Sequence, residues 1–396
     1  MDATGPLPFD KPDAVGLSTR GLARLTEVLR GAIDRGLIPG VVALVARRGK
    51  IAHLQALGVR DPAGAAAMQE DTIFRIYSMT KPLVSVAVMM LVEEGRLMLS
   101  DPLQKFLPAF ADPKVAVERD GRIELVPAAR AITIHDLLRH TSGLTYEFTG
   151  TAPVQRMYAD AKVSRPGQTS AEQVASLAAL PLMHQPGTRW EYSRSADVLG
   201  RVAELITGQT LGELLHQRII APLGMVDTAF SAPADKHHRL AEPFPKDPET
   251  GLPVNLIRTR EKPTFESGGG GLVSTVLDYA RFCQMMLSGG TFDGVRILGR
   301  KTVELMTSDH LGPVTGSPDL LLPGYGFGLG FAVRRNAGMA PIPGSVGEFY
   351  WGGLAGTTFW IDPKEQLFAI AMIQGPGQRE YFRMLYRTLV CAAVAE

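Results

Sequence analysis

Ser78-Met79-Thr80-Lys81 leads directly into an apolar run at residues 83–92, and this segment is the starting point for interpreting the 396-residue chain. A serine and a lysine three positions apart share one face of a helix. At the N-terminus of such a helix, the serine lies near unpaired backbone N–H groups and the positive end of the dipole. Pro82 suits the first turn, where its missing N–H costs little. Because a desolvated lysine can remove a hydroxyl proton, the segment predicts a nucleophilic serine with its base beside it.

The composition predicts a chain with a sizeable core and no strong net charge. Hydrophobic residues make up 45% of the sequence, and 41 basic side chains balance 40 acidic ones for a formal charge of +1. This balance provides no electrostatic reason to expect nucleic acid or an anionic membrane as a partner. No apolar stretch reaches the length of a membrane span, and residues 1–6 lack the basic and apolar regions of a signal peptide. We therefore expect a soluble cytoplasmic protein.

Hydrophobic patterns predict strands near both ends of the chain. Near the N-terminus, apolar residues at helical spacing precede two apolar segments that flank Arg47-Arg48-Gly49-Lys50 and predict a hairpin. Near the C-terminus, a second hairpin is predicted around Asp362-Pro363-Lys364-Glu365, followed by a last helix. The predicted elements are a helix at 22–33, strands at 41–46, 51–56, 357–361 and 367–372, and a helix at 379–393.

The middle of the chain predicts helices joined by turns rich in proline and glycine. We therefore expect an α+β fold, in which one antiparallel sheet built from both termini is flanked by helices and carries a largely helical insertion. Residues 1–80 and 288–396 would form the sheet domain and residues 81–287 the helical domain, with the active site at their interface. Residues 232–263, rich in proline and charge, predict a long surface excursion that could form part of a substrate-site wall. The predicted helices are 134–139, 171–180, 195–206 and 211–219.

Tyr192-Ser193-Arg194 stands in a predicted loop just before the helix at residues 195–206. A tyrosine in such a loop can project its hydroxyl into a cleft. Beside a lysine ammonium, its phenolate becomes accessible enough to shuttle a proton. The alternative is a tyrosine packed at a domain boundary with an ordinary hydrogen bond, as is common for this residue type. The tripeptide alone does not distinguish the two.

Trp351-Gly352-Gly353-Leu354 precedes the predicted strand at residues 357–361. Two glycines allow a ligand to approach the backbone closely, and a free N–H beyond them can help bind an oxyanion. The alternative is a bulge or turn at the entry to the strand, and taken alone the motif favours that interpretation.

The segments around Ser78, Tyr192 and Trp351 resemble, in their order and spacing, the serine β-lactamase and penicillin-binding protein superfamily. The resemblance is closest to class C β-lactamases and the family VIII carboxylesterases related to them, over about residues 16–393. It implies a β-lactamase/transpeptidase-like fold and an acyl-enzyme on Ser78, with Lys81 and Tyr192 sharing the proton transfers. It also implies an oxyanion hole made by the backbone N–H groups of Ser78 and Leu354, and chemistry without a metal or organic cofactor. Further segments that carry the resemblance are Thr72-Ile73-Phe74-Arg75-Ile76-Tyr77, Leu137-Leu138-Arg139-His140-Thr141-Ser142-Gly143-Leu144 and Gly269-Gly270-Gly271-Leu272-Val273-Ser274-Thr275.

Two departures from the superfamily pattern indicate the substrate class. Arg194 holds the third place of a motif that usually reads Tyr-x-Asn, and Trp351 stands where Lys-Thr-Gly usually begins. That lysine helps bind the carboxylate of β-lactams and peptidase substrates, so an indole removes an anion anchor and provides an apolar wall. We therefore expect short, uncharged acyl esters as substrates, with weak activity on strained β-lactams. The expected substrate-binding residues are Trp351, Gly352, Gly353, Tyr77 and Tyr146.

The sequence argues against one competing fold and leaves other functions open. It contains no Gly-x-Ser-x-Gly elbow of an α/β-hydrolase, and its histidines supply no clear triad partner. We expect His140 to make a structural hydrogen bond rather than act in catalysis. An acyltransferase would use the same acyl-enzyme, a β-lactamase or DD-peptidase is a further alternative, and a non-catalytic scaffold is the most distant one. The expected partner is a small-molecule ester, and the oligomeric state is left open.

Overall fold

Most strands lie near the two ends of the chain, and most helices lie between them. The computed structural model describes residues 7–316 and 320–395, so residues 1–6, to which the signal-peptide expectation refers, lie outside the described residues. The strands are β1 Gly40–Arg47, β2 Lys50–Asp61, β3 Ala66–Ala67, β4 Phe74–Arg75, β5 Lys114–Arg119, β6 Arg122–Pro127, β7 Val273–Ser274, β8 Thr291–Phe292, β9 Val295–Arg296, β10 Tyr325–Phe327, β11 Ala332–Arg334, β12 Phe349–Gly352, β13 Thr358–Asp362 and β14 Leu367–Met372. The helices are α1 Thr19–Asp34, α2 Thr80–Glu93, α3 Ile134–Leu138, α4 Pro153–Asp160, α5 Ser170–Ala178, α6 Ser195–Thr207, α7 Leu211–Leu215, α8 Val276–Leu287, α9 Arg300–Met306 and α10 Arg379–Cys391.

In the described part of the chain, eight strands form one antiparallel sheet in the order β10-β11-β12-β13-β14-β1-β2-β3. The two ends of the chain meet where β14 pairs with β1, with Leu44 opposite Ile370. The hairpins predicted at both ends are therefore confirmed, and the expected sheet built from both termini is present. The fold is the predicted α+β arrangement of a large antiparallel sheet flanked by helices.

Helices cover the central strands of this sheet. β1 is buried along its whole length, as expected for a strand whose two faces are both covered. α1 and α10 pack against each other and against the sheet, and α8 packs against β14, β1 and β13. The Tyr386 hydroxyl oxygen of α10 lies 2.8 and 3.0 Å from the carbonyl oxygens of Leu44 and Ile370, which share its single O–H as acceptors, and this contact fastens the helix to the junction of the two ends.

α2 is apolar nearly all round and packs against α6 and α7. A helix with that pattern has to be buried, which explains why the residues after the Ser-x-x-Lys segment show little amphipathic character. The helices predicted in the middle of the chain are confirmed, with one difference. Beyond α7, the residues His216–Ile220 form a π-helical turn instead of continuing the α-helix. The division into residues 1–80 with 288–396 and residues 81–287 stays a prediction.

Residues 232–263 have little regular structure apart from a 3₁₀ helix at Ala234–Arg239. Arg75 fastens this excursion to the rest of the fold, since its guanidinium donates to the carbonyl oxygens of Ala241 and Ile257, at 2.7 and 2.8 Å. Across the described ranges, no helix combines the length and apolarity needed to cross a membrane.

Candidate active site

Ser78 lies in a 3₁₀ turn, Tyr77–Met79, that runs directly into α2. Lys81 is the second residue of α2, and its Nζ lies 3.2 Å from the Ser78 Oγ, as the spacing of the two residues predicts. Tyr77 has a φ of 44°, in the left-handed region that costs free energy for a residue with a Cβ. Its hydroxyl accepts a hydrogen bond from the Ile257 N–H at 2.8 Å. The turn that presents the serine is therefore strained locally and held by the excursion.

Lys81 is almost completely buried, with an exposed fraction of 2%. Besides the serine, its Nζ donates to the Tyr146 hydroxyl at 3.0 Å and to the Gly269 carbonyl oxygen at 2.6 Å. Burial lowers the pKa of Lys81 to about 7, with Asp197 opposing the shift and Arg194 adding to it. Near neutral pH, a large share of the molecules therefore carries an uncharged amine, which is the form that can accept a proton.

The buried Tyr192 hydroxyl lies between Ser78 and Trp351. It hydrogen-bonds with the serine and accepts from the Trp351 Nε1–H at 3.2 Å. The Lys81 Nζ lies 4.5 Å from the centroid of the tyrosine ring. Burial raises the pKa of Tyr192, although both hydrogen bonds oppose this. The neutral phenol is therefore favoured in the resting site, and a phenolate that shuttles the proton stays a prediction.

The Trp-Gly-Gly-Leu motif leads from the end of β12 into the cavity wall. β12 ends at Gly352, and a Cβ on Gly353 would lie 2.5 Å from the carbonyl oxygen of Ile76. This close approach requires glycine and brings the end of the strand against the residues that lead into Ser78. Leu354, the next residue, is 41% exposed and lines the cavity. The motif therefore forms a wall of the cavity as well as the end of a strand.

Tyr146 lines the cavity as expected, but its contacts go beyond those of a wall residue. Its hydroxyl is a hydrogen-bond partner of Lys81, and its ring is covered by the Arg194 guanidinium, 4.7 Å from the centroid. Arg194 also forms ion pairs with Glu147 and, at 3.3 Å, with Asp197. The arginine at the third place of the Tyr192 motif therefore lines the cavity and is held there by two carboxylates.

These residues surround a cavity of about 1250 Å³. Lys81 stands behind it, and Leu256, Ile257 and Arg258 of the excursion form part of its wall, as expected for residues 232–263. The expected site residues that line the cavity are Ser78, Tyr77, Tyr146, Tyr192, Trp351, Gly352, Gly353 and Leu354.

Two arginines of the last helix also line the cavity, and no motif in the sequence indicated them. Arg379 and Arg383 lie one turn apart on α10, and a Cβ on Gly352 would overlap the Arg383 guanidinium. Arg383 forms an ion pair with Glu380 at 3.1 Å. The spacing of the two arginines is visible in the sequence, but only the packing of α10 on the sheet brings them to the strand that carries Trp351.

His140 is buried and contacts the Tyr192-Ser193 segment of the site. Its Nδ1 lies 3.1 Å from the Ser193 Oγ, and its ring packs 5.0 Å from the Tyr192 ring. Burial lowers the pKa of His140, so the ring is neutral near pH 7. Within residues 7–316 and 320–395, no group of three or more His, Cys, Asp or Glu side chains is arranged to hold a metal ion.

A comparison with known protein families identifies the family of this chain. A family model described as Beta-lactamase matches residues 25–393, a range that includes every expected site residue. The chain belongs to the beta-lactamase family. Its sheet and helices have the β-lactamase/transpeptidase-like arrangement implied by the Ser78, Tyr192 and Trp351 segments, so that prediction is confirmed.

Relatives of this beta-lactamase family member include proteins named as esterases. An uncharacterised protein of Mycobacterium tuberculosis (strain CDC 1551 / Oshkosh) is 39% identical over 358 residues, covering 87% of this chain and 88% of that protein. Esterase EstB from Burkholderia gladioli is 33% identical over 371 residues, 89% of this chain and 90% of the esterase. The solved structure of EstCE1, "a hydrolase with promiscuous acyltransferase activity", superimposes with a TM-score of 0.79 at 28% identity, covering 95% of this chain and 99% of that one. The family is thus one of serine hydrolases and acyltransferases that share this fold.

Proposed function

We propose that the protein is a carboxylesterase that hydrolyses esters through an acyl-enzyme on Ser78. The observation that carries the proposal is the 3.2 Å hydrogen bond between the Lys81 Nζ and the Ser78 Oγ, with the lysine buried and its pKa lowered to about 7. A neutral amine at this distance can accept the serine proton as the oxygen attacks. The esterase relatives support the same reaction type.

In the acylation step, the Ser78 Oγ bonds to the ester carbonyl carbon, and its proton passes to Lys81. Tyr192, held as a neutral phenol, then donates its proton to the departing alcohol as the C–O bond breaks, and it recovers a proton from Lys81. Water repeats the sequence in reverse and releases the acid. The backbone N–H groups of Ser78 and Leu354 stabilise the oxyanion, and one such donor is typically worth ~2.7–4 kcal/mol in the transition state. The chemistry balances without a cofactor.

The favoured substrates are esters with short, uncharged acyl chains. Trp351 provides an apolar wall at the place where related peptidases and lactamases carry a cation. Arg383 is the nearest cation to Gly352, and its pairing with Glu380 at 3.1 Å reduces its attraction for a substrate carboxylate. We therefore expect a neutral acyl group to be preferred over one that carries a carboxylate.

A panel of chromogenic esters tests the proposal. It contains neutral acyl chains of increasing length, a succinyl ester and a chromogenic cephalosporin, and kcat/KM is measured for each. We expect the highest values for short neutral esters and almost complete loss in Ser78→Ala. Ser85→Ala, which removes a buried hydroxyl from the same helix, is the matched control and should retain activity. Wild-type turnover by Ser78→Ala would overturn the mechanism, and a preference for the cephalosporin would identify a β-lactamase instead.

Acyl transfer is the second candidate, and the size of the cavity favours it. A volume of about 1250 Å³ exceeds that of many small-molecule sites and leaves room for an acceptor beside the acyl group. EstCE1, which shares the fold, is described as a hydrolase with promiscuous acyltransferase activity. With an alcohol acceptor added, an acyltransferase would divert most of the acyl-enzyme into a new ester. An esterase would still release mainly acid.

A further inference from the structure

The backbone of Gly269 connects Lys81 to a buried carboxylate. Its oxygen accepts from the Lys81 Nζ at 2.6 Å, and the N–H of the same residue donates to the Asp197 Oδ1 at 2.8 Å. The Ser267 hydroxyl donates to the same carboxylate oxygen at 2.6 Å. A Cβ on Gly269 would lie 2.8 Å from the Tyr146 hydroxyl oxygen and 2.9 Å from the Asp197 Oδ2, so this position has no room for a side chain.

This arrangement orients the amine of Lys81. A carbonyl oxygen can only accept a hydrogen bond, whereas the hydroxyls of Ser78 and Tyr146 can donate or accept. When the lysine is neutral, one of its two N–H bonds therefore points at Gly269. The lone pair is then directed toward the hydroxyls, one of which is the proposed nucleophile. The direction of the lone pair depends on where Asp197 holds the turn.

The charge of Asp197 is itself compensated within the fold. Its side chain is completely buried, and Arg194 pairs with it at 3.3 Å while also binding Glu147. The Asp197 charge favours the protonated form of Lys81, and the Arg194 charge opposes it. The titratable and charged groups that surround the lysine are Ser78, Tyr146, Glu147, Tyr192, Arg194, Asp197 and, further back, His140.

We propose that Asp197 is a positioning residue for Lys81, holding the Ser267–Gly269 turn so that the Gly269 carbonyl directs the amine at Ser78. Arg194, which also lines the cavity, serves this arrangement by compensating the charge of the carboxylate. The inference rests on the proposed acylation of Ser78, and it assigns a role to the arginine that replaces the usual asparagine.

The test measures the rate at which a fluorophosphonate labels Ser78 as a function of pH. In this reaction the serine oxygen bonds to phosphorus, fluoride leaves, and the serine proton passes to Lys81, so no particular ester is needed. Asp197→Asn keeps the shape and one accepting oxygen but removes the charge. We expect its maximal labelling rate to fall by about tenfold, because a small misplacement of a reacting group is costly. The acid limb of its profile should move to lower pH by about half a unit or more, because the lysine loses a nearby anion.

Ser267→Ala distinguishes the effect of positioning Lys81 from the effect of the Asp197 charge. It removes one hydrogen bond that orients Asp197 and leaves every charge in place, so the rate should fall while the acid limb stays unchanged. Asp136→Asn is the matched control, since Asp136 is another buried carboxylate paired with arginines, Arg130 and Arg139, outside the cavity. It should lower the Tm without moving the profile.

The outcomes separate the two proposals. Asp197→Asn and Ser267→Ala profiles that superimpose on the wild-type profile, with rates within about twofold, would overturn the positioning role. The positioning role would also be overturned if Asp136→Asn shifted the acid limb as far as Asp197→Asn does. Absence of labelling in the wild-type protein would instead overturn the proposed function.

Discussion

The indole of Trp351 donates a hydrogen bond from its Nε1–H to the hydroxyl oxygen of Tyr192, over 3.2 Å. The two rings also pack with their centroids 5.2 Å apart. Trp351 therefore does more than provide an apolar wall, because its N–H holds the oxygen of the group proposed to relay the proton. A tryptophan can fill this place because its polar N–H finds a buried partner.

Replacing this tryptophan by phenylalanine tests the contact. Trp351→Phe keeps an aromatic wall and removes the N–H donor, so we expect kcat to fall about three- to tenfold with KM changed little. The expected size of this decrease in kcat follows from the ~0.5–1.5 kcal/mol that one hydrogen bond typically contributes. Steady-state kinetics on a short neutral ester measure the effect. Trp360→Phe, on the neighbouring strand β13, should leave kcat unaltered, and an equal loss in both variants would contradict the assignment.

The pH dependence of the reaction follows from the lowered pKa of Lys81. Below a pH of about 7 the amine is protonated and cannot accept the serine proton, so kcat/KM should rise with pH through an acid limb near 7. Lys81→Arg keeps the charge but cannot deprotonate in this range, and activity should fall by about 10²–10⁴-fold. Lys262→Arg, the same substitution at an exposed lysine on the cavity lining, is the control and should retain the limb. An acid limb near 4 would show that a carboxylate, not Lys81, is the base.

The close approach at Gly353 predicts a large effect of a small side chain. In Gly353→Ala the new Cβ would lie 2.5 Å from the Ile76 carbonyl oxygen, so the Leu354 segment or the Ser78 turn has to shift. We expect kcat/KM to fall by about 10²-fold, since a displacement of 1 Å at a catalytic group has that cost. Gly338→Ala, at a glycine with open space around it, should be neutral. Unchanged kinetics in Gly353→Ala would show that the two segments are not rigidly coupled.

Glu348 is the buried anion that two buried arginines share. It pairs with Arg334 at 3.1 Å and with Arg387, and all three side chains are almost fully buried. Glu348→Gln leaves two buried cations without their anion, so we expect the free energy of unfolding to fall by about 3–5 kcal/mol. Urea denaturation measures this change. Glu124→Gln, which breaks an exposed ion pair with Arg119, should change it by only about 0–1 kcal/mol.

The turnover of Glu348→Gln provides a check on this interpretation. The Glu348 network lies beside β12 rather than in the cavity, so kcat per folded molecule should be unaffected in Glu348→Gln. A loss of turnover at full folding would contradict the view that this network acts only on stability.

Local sequence patterns were sufficient to predict many of the helices and strands. The apolar segments and turn residues of the two hairpins predicted β1 with β2 and β13 with β14, and the spacing of apolar residues predicted α1, α6 and α10. The 3.6-residue period also made the Ser78–Lys81 contact predictable, because both residues belong to one helical turn. The β5–β6 hairpin was not predicted, although the sequence carries a signal for it, since Asp120-Gly121 stands between the alternating apolar residues Val115, Val117, Ile123 and Leu125. The cytoplasmic location stays a prediction of the sequence alone.

By itself, the sequence determined the nucleophile proposed here, its expected neighbours Lys81 and Tyr192, and the family to which the chain belongs. Only the tertiary structure decided the charge state of the site. The pKa of Lys81 depends on burial and on Asp197, which is far away along the chain but is joined to the lysine through Gly269. Likewise Arg383 reaches Gly352 only because α10 packs on the sheet. Desolvation and charge interactions depend on distances in space, and those distances are properties of the folded chain rather than of neighbouring residues.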